Sequence, residues 1–437
     1  MLDIQFIRDN ADRVRETAKQ KGYDIDVAQL LELDVARRTR LTQIDELRRR
    51  RNEHSDALKS GGRPTDEQIA TGKQLKEELA LQEADLDKIE AQYEPLLKSV
   101  PNVPLADVPV GASEDDNVVA KTVGEPTQFD FTPKHDYQLG EQWDLIDKER
   151  AAKVAGSRFA YLKGDIVLMQ FAIIQFVMQT LGDEAVLQKL IDENGLNVSA
   201  KPFRPVLPPA VLRTEPYVAS ARLNASEVTY KLADDDLWLN ASAEHTLCTM
   251  YWNEVLPEDM FPIRYIGYST SFRREAGTYG KDMEGIFRMH QFDKLEMETF
   301  STAETGLDEH KLMVAVQEHL VQALGLPYRL IDKCTVDIGK PNATGKDIDC
   351  WFPGQNAYRE THTADYMTDY QSRDLKIRVK RQGGDKDGQV ELVHTNDATA
   401  FALGRILKAI LENYQTADGH IVVPEVLRPY MGNKERI

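Results

Sequence analysis

The densest run of polar residues in the chain surrounds a short loop between two apolar segments. Phe272-Arg273-Arg274-Glu275 comes before the loop, and the segment 286–296 follows it. Strand, loop and strand is the natural interpretation of this pattern. The alternation after Gly285 then places five side chains on one face: Arg288, His290, Phe292, Lys294 and Glu296. An arginine and an aromatic ring in one groove suit a nucleotide, since the guanidinium pairs with phosphate and the ring stacks on a base.

A second polar group lies near the C-terminus. Asp397, Thr399 and Arg405 are predicted at the head of an apolar helix over 400–414. An arginine one turn into such a helix can reach a phosphate. The sequence contains neither GxxxxGK(S/T) nor a strand–GxGxxG–helix pattern, so the two common nucleotide cradles are excluded.

The elements predicted around these residues mix strands and helices without regular alternation. Helices are predicted over 166–181, 309–324 and 400–414, and strands over 118–123, 202–211, 237–239, 261–268, 287–295 and 392–394. Weak alternation at the first strand and prolines in the second suit sheet edges. Dispersed strands of this kind predict an α+β fold on a mixed, mainly antiparallel sheet flanked by helices.

The first hundred residues are predicted to form a separate helical arm. Residues 26–97 are rich in Leu, Arg, Glu, Lys, Ala and Asp, with one interruption at 60–64. A 4-3-4-3 spacing marks a coiled-coil seam through Leu75, Leu79, Gln82, Leu86, Ile89, Tyr93 and Leu96. We therefore predict an antiparallel helical coiled-coil arm, whose second helix begins with a capping box of Thr65 and Gln68.

The arm differs in charge from the whole chain. Lys and Arg total 54 and Asp and Glu 72, a formal net charge of −18, whereas residues 37–63 hold nine cations and four acids. This local excess of +5 (9 − 4) favours a phosphate-tracking surface over an ordinary solvated helix face. The arginines of this stretch include Arg37, Arg38, Arg48, Arg49, Arg50 and Arg51.

Length and composition limit the remaining possibilities. The 437 residues suffice for two to four domains, which we place at 1–100 (the arm), 101–130 (a linker and edge segment) and 131–437 (the body). Three cysteines without a CxxC pair predict a reducing, cytoplasmic setting, and the histidines show no spacing for a zinc site. No apolar run approaches the roughly 18 residues of a membrane span. The acidic balance excludes indiscriminate polyanion binding, so neither membrane nor DNA is an expected partner.

Together these patterns resemble the class II seryl-tRNA synthetases over nearly the whole chain. The segment 272–292 resembles the second signature motif of that class, and 394–415 resembles its third. The strand at Pro208-Pro209 and the helix before it resemble the first motif, which builds the dimer interface in the class. The parts that match the seryl enzymes in particular are Ser242-Ala243-Glu244, 156–164, 351–360 and the N-terminal arm.

The resemblance implies a role for each matching residue. Arg273 would bind the α-phosphate of ATP, and Arg288 and Arg405 would bind its γ-phosphate. Glu275 would lie beside adenine, and Phe292 would stack under the base. The same four charged residues would form the catalytic set. Ser242 and Glu244 would line the pocket for the ammonium group of serine, and Glu296 and Thr399 would contact its hydroxyl. The serine-binding residues would be Ser242, Glu244, Arg273, Glu296, Asp397 and Thr399.

The resemblance also implies a reaction and its partners. Serine is activated with ATP and Mg²⁺, the metal being held by Glu360 and Thr363, and is then transferred to the 3′ end of tRNA-Ser, or of tRNA-Sec where that tRNA exists. The activation step needs no protein base, because its catalysis is positioning and charge neutralisation. The arm, through the six arginines named above, would bind the tRNA, and the protein would be a homodimer.

Several positions depart from the family pattern. Ser242 stands where threonine is usual, Thr363 where serine is usual, and Ala219-Ser220-Ala221 replaces a Gly-Thr-Gly segment. Asp397 stands where the family usually has asparagine. This extra carboxylate either helps to bind the ammonium group or changes the choice of amino acid.

Two other functions remain open at this point. A class II relative can load a small amino acid onto a carrier protein, although such relatives typically lack an arm. A non-catalytic tRNA-binding homologue is the other alternative, and it is disfavoured because Arg273, Arg288 and Arg405 are all present.

Overall fold

The computed structural model describes residues 1–60, 63–223, 228–275 and 284–437. These residues form two compact units, Met1–Val103 and Pro104–Ile437. Most of the loop predicted after Glu275 lies outside the described residues, at 276–283.

The N-terminal unit is built from two short helices and a long helical hairpin. Its helices are α1 (Ile4–Asp9), α2 (Ala11–Gln20), α3 (Val27–Ser60) and α4 (Asp66–Ser99). The seam of the hairpin buries Ile44 and Leu47 of α3 against Leu75 and Leu79 of α4. The predicted coiled-coil hairpin is therefore confirmed, since apolar residues at heptad spacing bury one stripe of each helix.

The predicted capping box at the start of α4 is also confirmed. Gln68 donates its backbone N–H to the Thr65 hydroxyl at 3.3 Å, and Thr65 donates its own to the Gln68 side-chain oxygen at 2.9 Å. Two backbone donors that have no partner within the helix are thereby satisfied.

The C-terminal unit contains nine α-helices and fifteen strands among its described residues. The helices are α5 (Asp136–Gln142), α6 (Lys148–Ala155), α7 (Asp165–Leu181), α8 (Glu184–Asn194), α9 (Thr214–Ala219), α10 (Glu244–Leu247), α11 (Gly306–Ala323), α12 (Tyr370–Leu375) and α13 (Leu403–Asn413). The strands are β1 (Val118–Val123), β2 (Ile146–Asp147), β3 (Tyr161–Leu162), β4 (Arg204–Val206), β5 (Val211–Arg213), β6 (Leu237–Leu239), β7 (Val255–Pro257), β8 (Ile263–Phe272), β9 (Gln291–Ser301), β10 (Tyr328–Asp332), β11 (Thr344–Phe352), β12 (Ala357–Thr368), β13 (Arg378–Lys380), β14 (Val390–Leu392) and β15 (His394–Ala402).

Eight of these strands form one central sheet. Their order is β1-β10-β11-β12-β15-β9-β8-β4, and every neighbouring pair is antiparallel except β4 with β8. The mixed, mainly antiparallel α+β fold is thus confirmed. β1 and β4 lie at the two edges, as their weak alternation and their proline predicted. The predicted strand over 202–211 is wrong in its extent, because β4 covers only Arg204–Val206 and Pro208-Pro209 lies outside any strand.

The two faces of the sheet differ in chemistry. Leu295 and Met297 of β9 belong to the main apolar cluster, together with Leu312 and Leu320 of α11. The residues that alternate with them, such as Glu296, are just as buried but are charged. Because side chains alternate along a strand, one face packs against α11, and the other carries the charged site beside a smaller apolar cluster that includes Leu247 of α10 and Phe300 of β9.

The predicted strand over 287–295 is wrong in its first half. β9 begins at Gln291, and two backbone donors before it bond to partners outside the sheet. Ile286 donates its backbone N–H to the Asp136 carboxylate at 2.9 Å, and His290 donates its own to the Arg158 carbonyl at 3.0 Å. Arg288 and His290 therefore do not share a strand face with Phe292.

The predicted position of Asp397 and Thr399 at the head of a helix is also wrong. Both lie within β15, and the helix α13 begins only at Leu403. β15 pairs with β12 on one side and β9 on the other, so its backbone groups are satisfied in the middle of the sheet. A run that is buried on both sides shows no helix or strand period, which is why its type could not be read from the sequence.

No single helix in the described residues is long and apolar enough to cross a bilayer. The consecutive helices α7 and α8 reach that length only as a pair, and they are bent by 68° relative to each other.

Candidate active site

The side chains expected to bind ATP surround one cavity of about 120 Å³ at the charged face of the sheet. The segment after β8 and the segment before β9 supply its walls, together with β9, β12, β15 and α13. The expected residues that line it are Arg273, Glu275, Arg288, Phe292, Glu360, Thr363, Thr399 and Arg405. Residues from three separate regions of the sequence thus meet in one place.

Arg273 is held in a fixed position just after β8. Its Nε donates to the carbonyl of Ala241 at 3.1 Å, and its guanidinium carbon lies 5.4 Å from the ring centroid of Phe292. His290 bonds to its carbonyl through Nδ1 at 2.9 Å. The guanidinium therefore sits against an aromatic face with its remaining donors toward the cavity that it lines, an arrangement suited to phosphate beside a base.

The other two arginines of the cavity pair with glutamates. Arg288 Nη1 lies 2.8 Å from Glu275 Oε2, and Arg405 Nη1 lies 2.8 Å from Glu360 Oε1. Phe287 packs beneath Arg405, whose guanidinium carbon is 4.9 Å from the ring centroid. These pairs hold two cations at the rim of the cavity, where an anionic ligand can reach them.

The residues expected to hold Mg²⁺ offer oxygen donors only. Glu360 lies directly across β11 and β12 from Asp349, and Thr363 lies across from Asp347. Burial, and then the carboxylate of Glu360, raises the pKa of Asp349 to about 6. A cation would relieve this repulsion, and hydroxyl and carboxylate oxygens are the donors that a hard cation prefers. The donor set therefore fits Mg²⁺.

A second cluster lies next to this cavity and is almost fully buried. Ser242 donates its hydroxyl to Glu296 Oε2 at 2.8 Å, and Thr399 donates to Oε1 of the same carboxylate at 3.4 Å. Lys294 forms an ion pair with Glu296 and donates to Ser242 at 3.2 Å. Three polar side chains, those of Ser242, Thr399 and Lys294, thus converge on one glutamate.

Glu244 and Asp397, the remaining expected serine contacts, share a single arginine. Arg222 Nε lies 2.9 Å from Glu244 Oε1, and its Nη2 forms an ion pair with Asp397. Carboxylate oxygens of Glu244, Asp397 and Glu296 lie within 4.8 Å of one another. Burial acts to raise the pKa of Glu244, but Arg222 and His245 outweigh it, so the pKa is well below its ordinary value.

Arg222 was not predicted as a site residue, although it directly follows the segment 219–221 that departs from the family pattern. It contacts Asp397 across 175 residues of chain. Lys333 was also missed; it lies 3.3 Å from the Thr363 hydroxyl and 3.5 Å from Asp347. Lys294 was placed on the correct strand face, but its pairing with Glu296 was not expected.

The arm arginines fall into two groups. Four of them pair with acids of the hairpin or of the helix that carries them: Arg37 with Glu90, Arg38 with Asp34, Arg48 with Glu83, and Arg49 with both Glu46 and Glu53. Arg50 and Arg51 are exposed and have no ion pair with any residue that the structure describes. Of the six arginines predicted to bind tRNA, only these two carry charge that no ion pair among the described residues neutralises.

Two protein-family models match the chain. Residues 1–104 match the seryl-tRNA synthetase N-terminal domain, and residues 229–414 match the class II tRNA synthetase core domain (G, H, P, S and T). The two matched ranges contain the helical hairpin and most of the site described above.

Relatives and solved structures match the chain from end to end. The serine–tRNA ligase of Thermodesulfovibrio yellowstonii is 38% identical over 439 residues, 99% of each chain, and that of Nitrosopumilus maritimus is 37% identical over the full length of both. The crystal structure of seryl-tRNA synthetase from Pyrococcus horikoshii complexed with ATP has a TM-score of 0.85 at 34% identity, covering 100% of this chain and 99% of that one. The cytoplasmic enzyme of Naegleria fowleri, in complex with AMP, has a TM-score of 0.82 at 27% identity, covering 100% and 98%. The chain therefore belongs to the seryl-tRNA synthetase family of class II aminoacyl-tRNA synthetases.

Proposed function

We propose that the protein is a serine–tRNA ligase, which activates serine with ATP and transfers it to tRNA-Ser. One observation carries this proposal: three arginines and an aromatic ring surround a cavity that adjoins a buried cluster of hydroxyl and carboxylate groups. Residues 131–437 would be the catalytic domain, residues 101–130 its linker, and residues 1–100 the tRNA-binding arm.

In the activation step, the serine carboxylate attacks the α-phosphorus of ATP and pyrophosphate leaves. Arg273 holds the α-phosphate, while Arg288 and Arg405 hold the departing pyrophosphate and neutralise its charge. Phe292 stacks on adenine, and Glu275 lies beside it. These residues act by position and charge, because no proton must be removed from a carboxylate that is already ionised.

Serine would be recognised by the buried cluster. Glu296 accepts the hydroxyl of serine with help from Thr399, and Glu244 and Ser242 face its ammonium group. An alanine substrate would leave Glu296 without that donor. A site built to hydrogen-bond a substrate hydroxyl rejects the analogue that lacks it, although Glu296 keeps its protein partners Ser242, Thr399 and Lys294.

The metal is part of the same proposal. Glu360 and Thr363 would hold Mg²⁺, which supplies charge neutralisation for the triphosphate when it is bound. The donor set described above supports this assignment, since it contains oxygen ligands alone.

The arm would bind the backbone of tRNA through its uncompensated charge. We expect that the Arg50→Ala/Arg51→Ala double variant binds tRNA-Ser about tenfold more weakly than the unmodified protein. The slope of log affinity against log salt concentration should become shallower by the amount that corresponds to about two lost phosphate contacts. Filter binding across a salt series measures both quantities. The Arg13→Ala/Arg15→Ala variant makes the same charge change elsewhere in the N-terminal unit and should bind normally; equal losses in the two variants would contradict this assignment.

The protein would act as a homodimer in a reducing, cytoplasmic setting. Leu168 and Phe171 of α7 are each 51% exposed, and Leu207, just after β4, is 77% exposed. Exposed apolar side chains of this size support an interface at the first motif. Sedimentation equilibrium should give twice the mass of one chain.

All three cysteines are buried free thiols, as a reducing compartment would keep them.

The proposed function is tested by two assays on the purified protein. ATP–pyrophosphate exchange should depend on serine and not on alanine, glycine, threonine or cysteine. In the second assay, the protein should transfer serine to tRNA-Ser and should not transfer it to a carrier protein. Exchange with another amino acid would contradict the assignment of serine as the substrate. No exchange with any amino acid would contradict the proposal that the protein is an enzyme.

A further inference from the structure

The buried amino-acid cluster contains an unusual number of charges for a site that binds one small substrate. Three carboxylates lie within 4.8 Å of one another, those of Glu244, Glu296 and Asp397. Two cations contact them, since Arg222 pairs with Glu244 and Asp397, and Lys294 pairs with Glu296. When all five groups are ionised, the cluster carries one net negative charge (3 − 2).

A fourth carboxylate lies behind the cluster but does not add to this charge. Glu298 of β9 stands directly across from Asp397 of β15. Both of its oxygens are buried, and neither has a hydrogen-bond partner among the residues that the structure describes. Burial, and then the charges of Asp397 and Glu244, raise the pKa of Glu298 well above its ordinary value. Burial without a cationic partner therefore favours the neutral form of Glu298 over its carboxylate form.

Arg222 is the group that determines the remaining balance. Its side chain is only 15% exposed, and it bridges two carboxylates that would otherwise face each other without a cation. Burial raises the pKa of Asp397, and the contact with Arg222 works against that rise. Asp397 is thus bound to an arginine of the protein, so its charge is not available to the ammonium group of a substrate.

We propose that Arg222 is a positioning residue that sets the charge of the amino-acid pocket and thereby its specificity. By neutralising Asp397 and orienting Glu244, it leaves one net negative charge for the single ammonium group of serine. The pocket then rejects an amino acid of the same size that carries a second amine. This inference rests on the proposed function, because it takes the cluster to be the serine pocket.

A charge role of Arg222 and a purely structural role predict different results for substrates of different charge. Without Arg222 the pocket would carry two net negative charges, which match a dication better than a monocation. The compound 2,3-diaminopropionate is a suitable probe, because it is serine with an amine in place of the hydroxyl. Removing Asp397 together with Arg222 returns the net charge to one negative, so the pair should compensate for each other.

The test compares Arg222→Gln, Asp397→Asn and the double variant with the unmodified protein. The measured quantity is kcat/KM in ATP–pyrophosphate exchange, for serine and for 2,3-diaminopropionate. We expect Arg222→Gln to lose about 30-fold with serine, because two buried carboxylates lose their partner. Its ratio of serine to diamine should fall about tenfold or more. In the double variant, serine activity should recover to within about threefold and the ratio should return.

Two further measurements keep the test decisive. Arg222→Lys keeps the charge and loses the planar fork, so it should preserve the ratio of the two substrates even where kcat/KM falls. Thermal shifts caused by each amino acid report binding for any variant that is too slow to assay. An unchanged ratio in Arg222→Gln, or no recovery in the double variant, would overturn the inference. Failure of the proposed function would appear differently, as no serine-dependent exchange in the unmodified protein.

Discussion

Replacing Arg273 with alanine is expected to lower serine-dependent ATP–pyrophosphate exchange by about 10³-fold. The guanidinium is preorganised against Phe292 by its bond to the Ala241 carbonyl. It would contact the α-phosphate, where negative charge develops during attack by the serine carboxylate. Loss of one preorganised donor at such a position typically costs about 10²–10³-fold in rate, and this residue supplies a full charge as well.

Two companion variants sharpen this prediction. Arg274→Ala removes the neighbouring arginine, which does not line the cavity, and should retain most of the activity. Arg273→Lys keeps the charge without the fork and should fall between the two, because a lysine cannot hold a phosphate in a bidentate way. If Arg273→Ala and Arg274→Ala lost activity equally, a general weakening of the fold would explain the result better than contact with ATP.

Replacing Glu360 with glutamine is expected to lower exchange by roughly 10²- to 10³-fold and to raise the Mg²⁺ concentration needed for half-maximal rate. The substitution keeps the size of the side chain and removes its charge. Metal neutralisation of transition-state charge is worth several kcal/mol, and a neutral amide is a weaker ligand for a hard cation. A titration of rate against Mg²⁺ at fixed ATP measures both effects.

The same titration distinguishes a metal ligand from a partner of arginine. Glu360 also pairs with Arg405 at 2.8 Å, so the substitution removes that charged partner, while Arg405 keeps its bond to the Glu360 carbonyl at 2.9 Å. A lower rate with an unchanged Mg²⁺ requirement would mean that Glu360 acts only by positioning Arg405. Glu304→Gln is the matched control, because Glu304 also pairs with an arginine, Arg381, at 3.1 Å, but lies outside the cavity.

Much of the architecture was predictable from local pattern. The hairpin seam, the capping box of Thr65 and Gln68 and the helix α7 were each predicted from the sequence. Each depends on residues within a few turns of one another, so the period of the pattern carries the information. The motif arginines were likewise recognisable by type and spacing, and Arg273, Arg288 and Arg405 do line a common cavity.

Predictions failed where the backbone is satisfied by distant partners. The segment before β9 bonds to Asp136 and to the carbonyl of Arg158, so it is not a strand despite its alternation. β15 is a strand rather than a helix start because β12 and β9 pair with it from both sides. In both cases tertiary hydrogen bonds overrode a local preference.

The sequence by itself determined the family, the fold class and the types of side chain that meet at the cavity. Only the tertiary structure decided how the buried charges are paired. Asp397 alone could have been a ligand for an ammonium group, and its contact with Arg222, 175 residues away, is what gives it another role. The physical reason is the distance along the chain over which each property is set. Periodicity depends on neighbours within one helix or strand. The charge of a buried pocket is the sum of groups that separate strands and loops bring together.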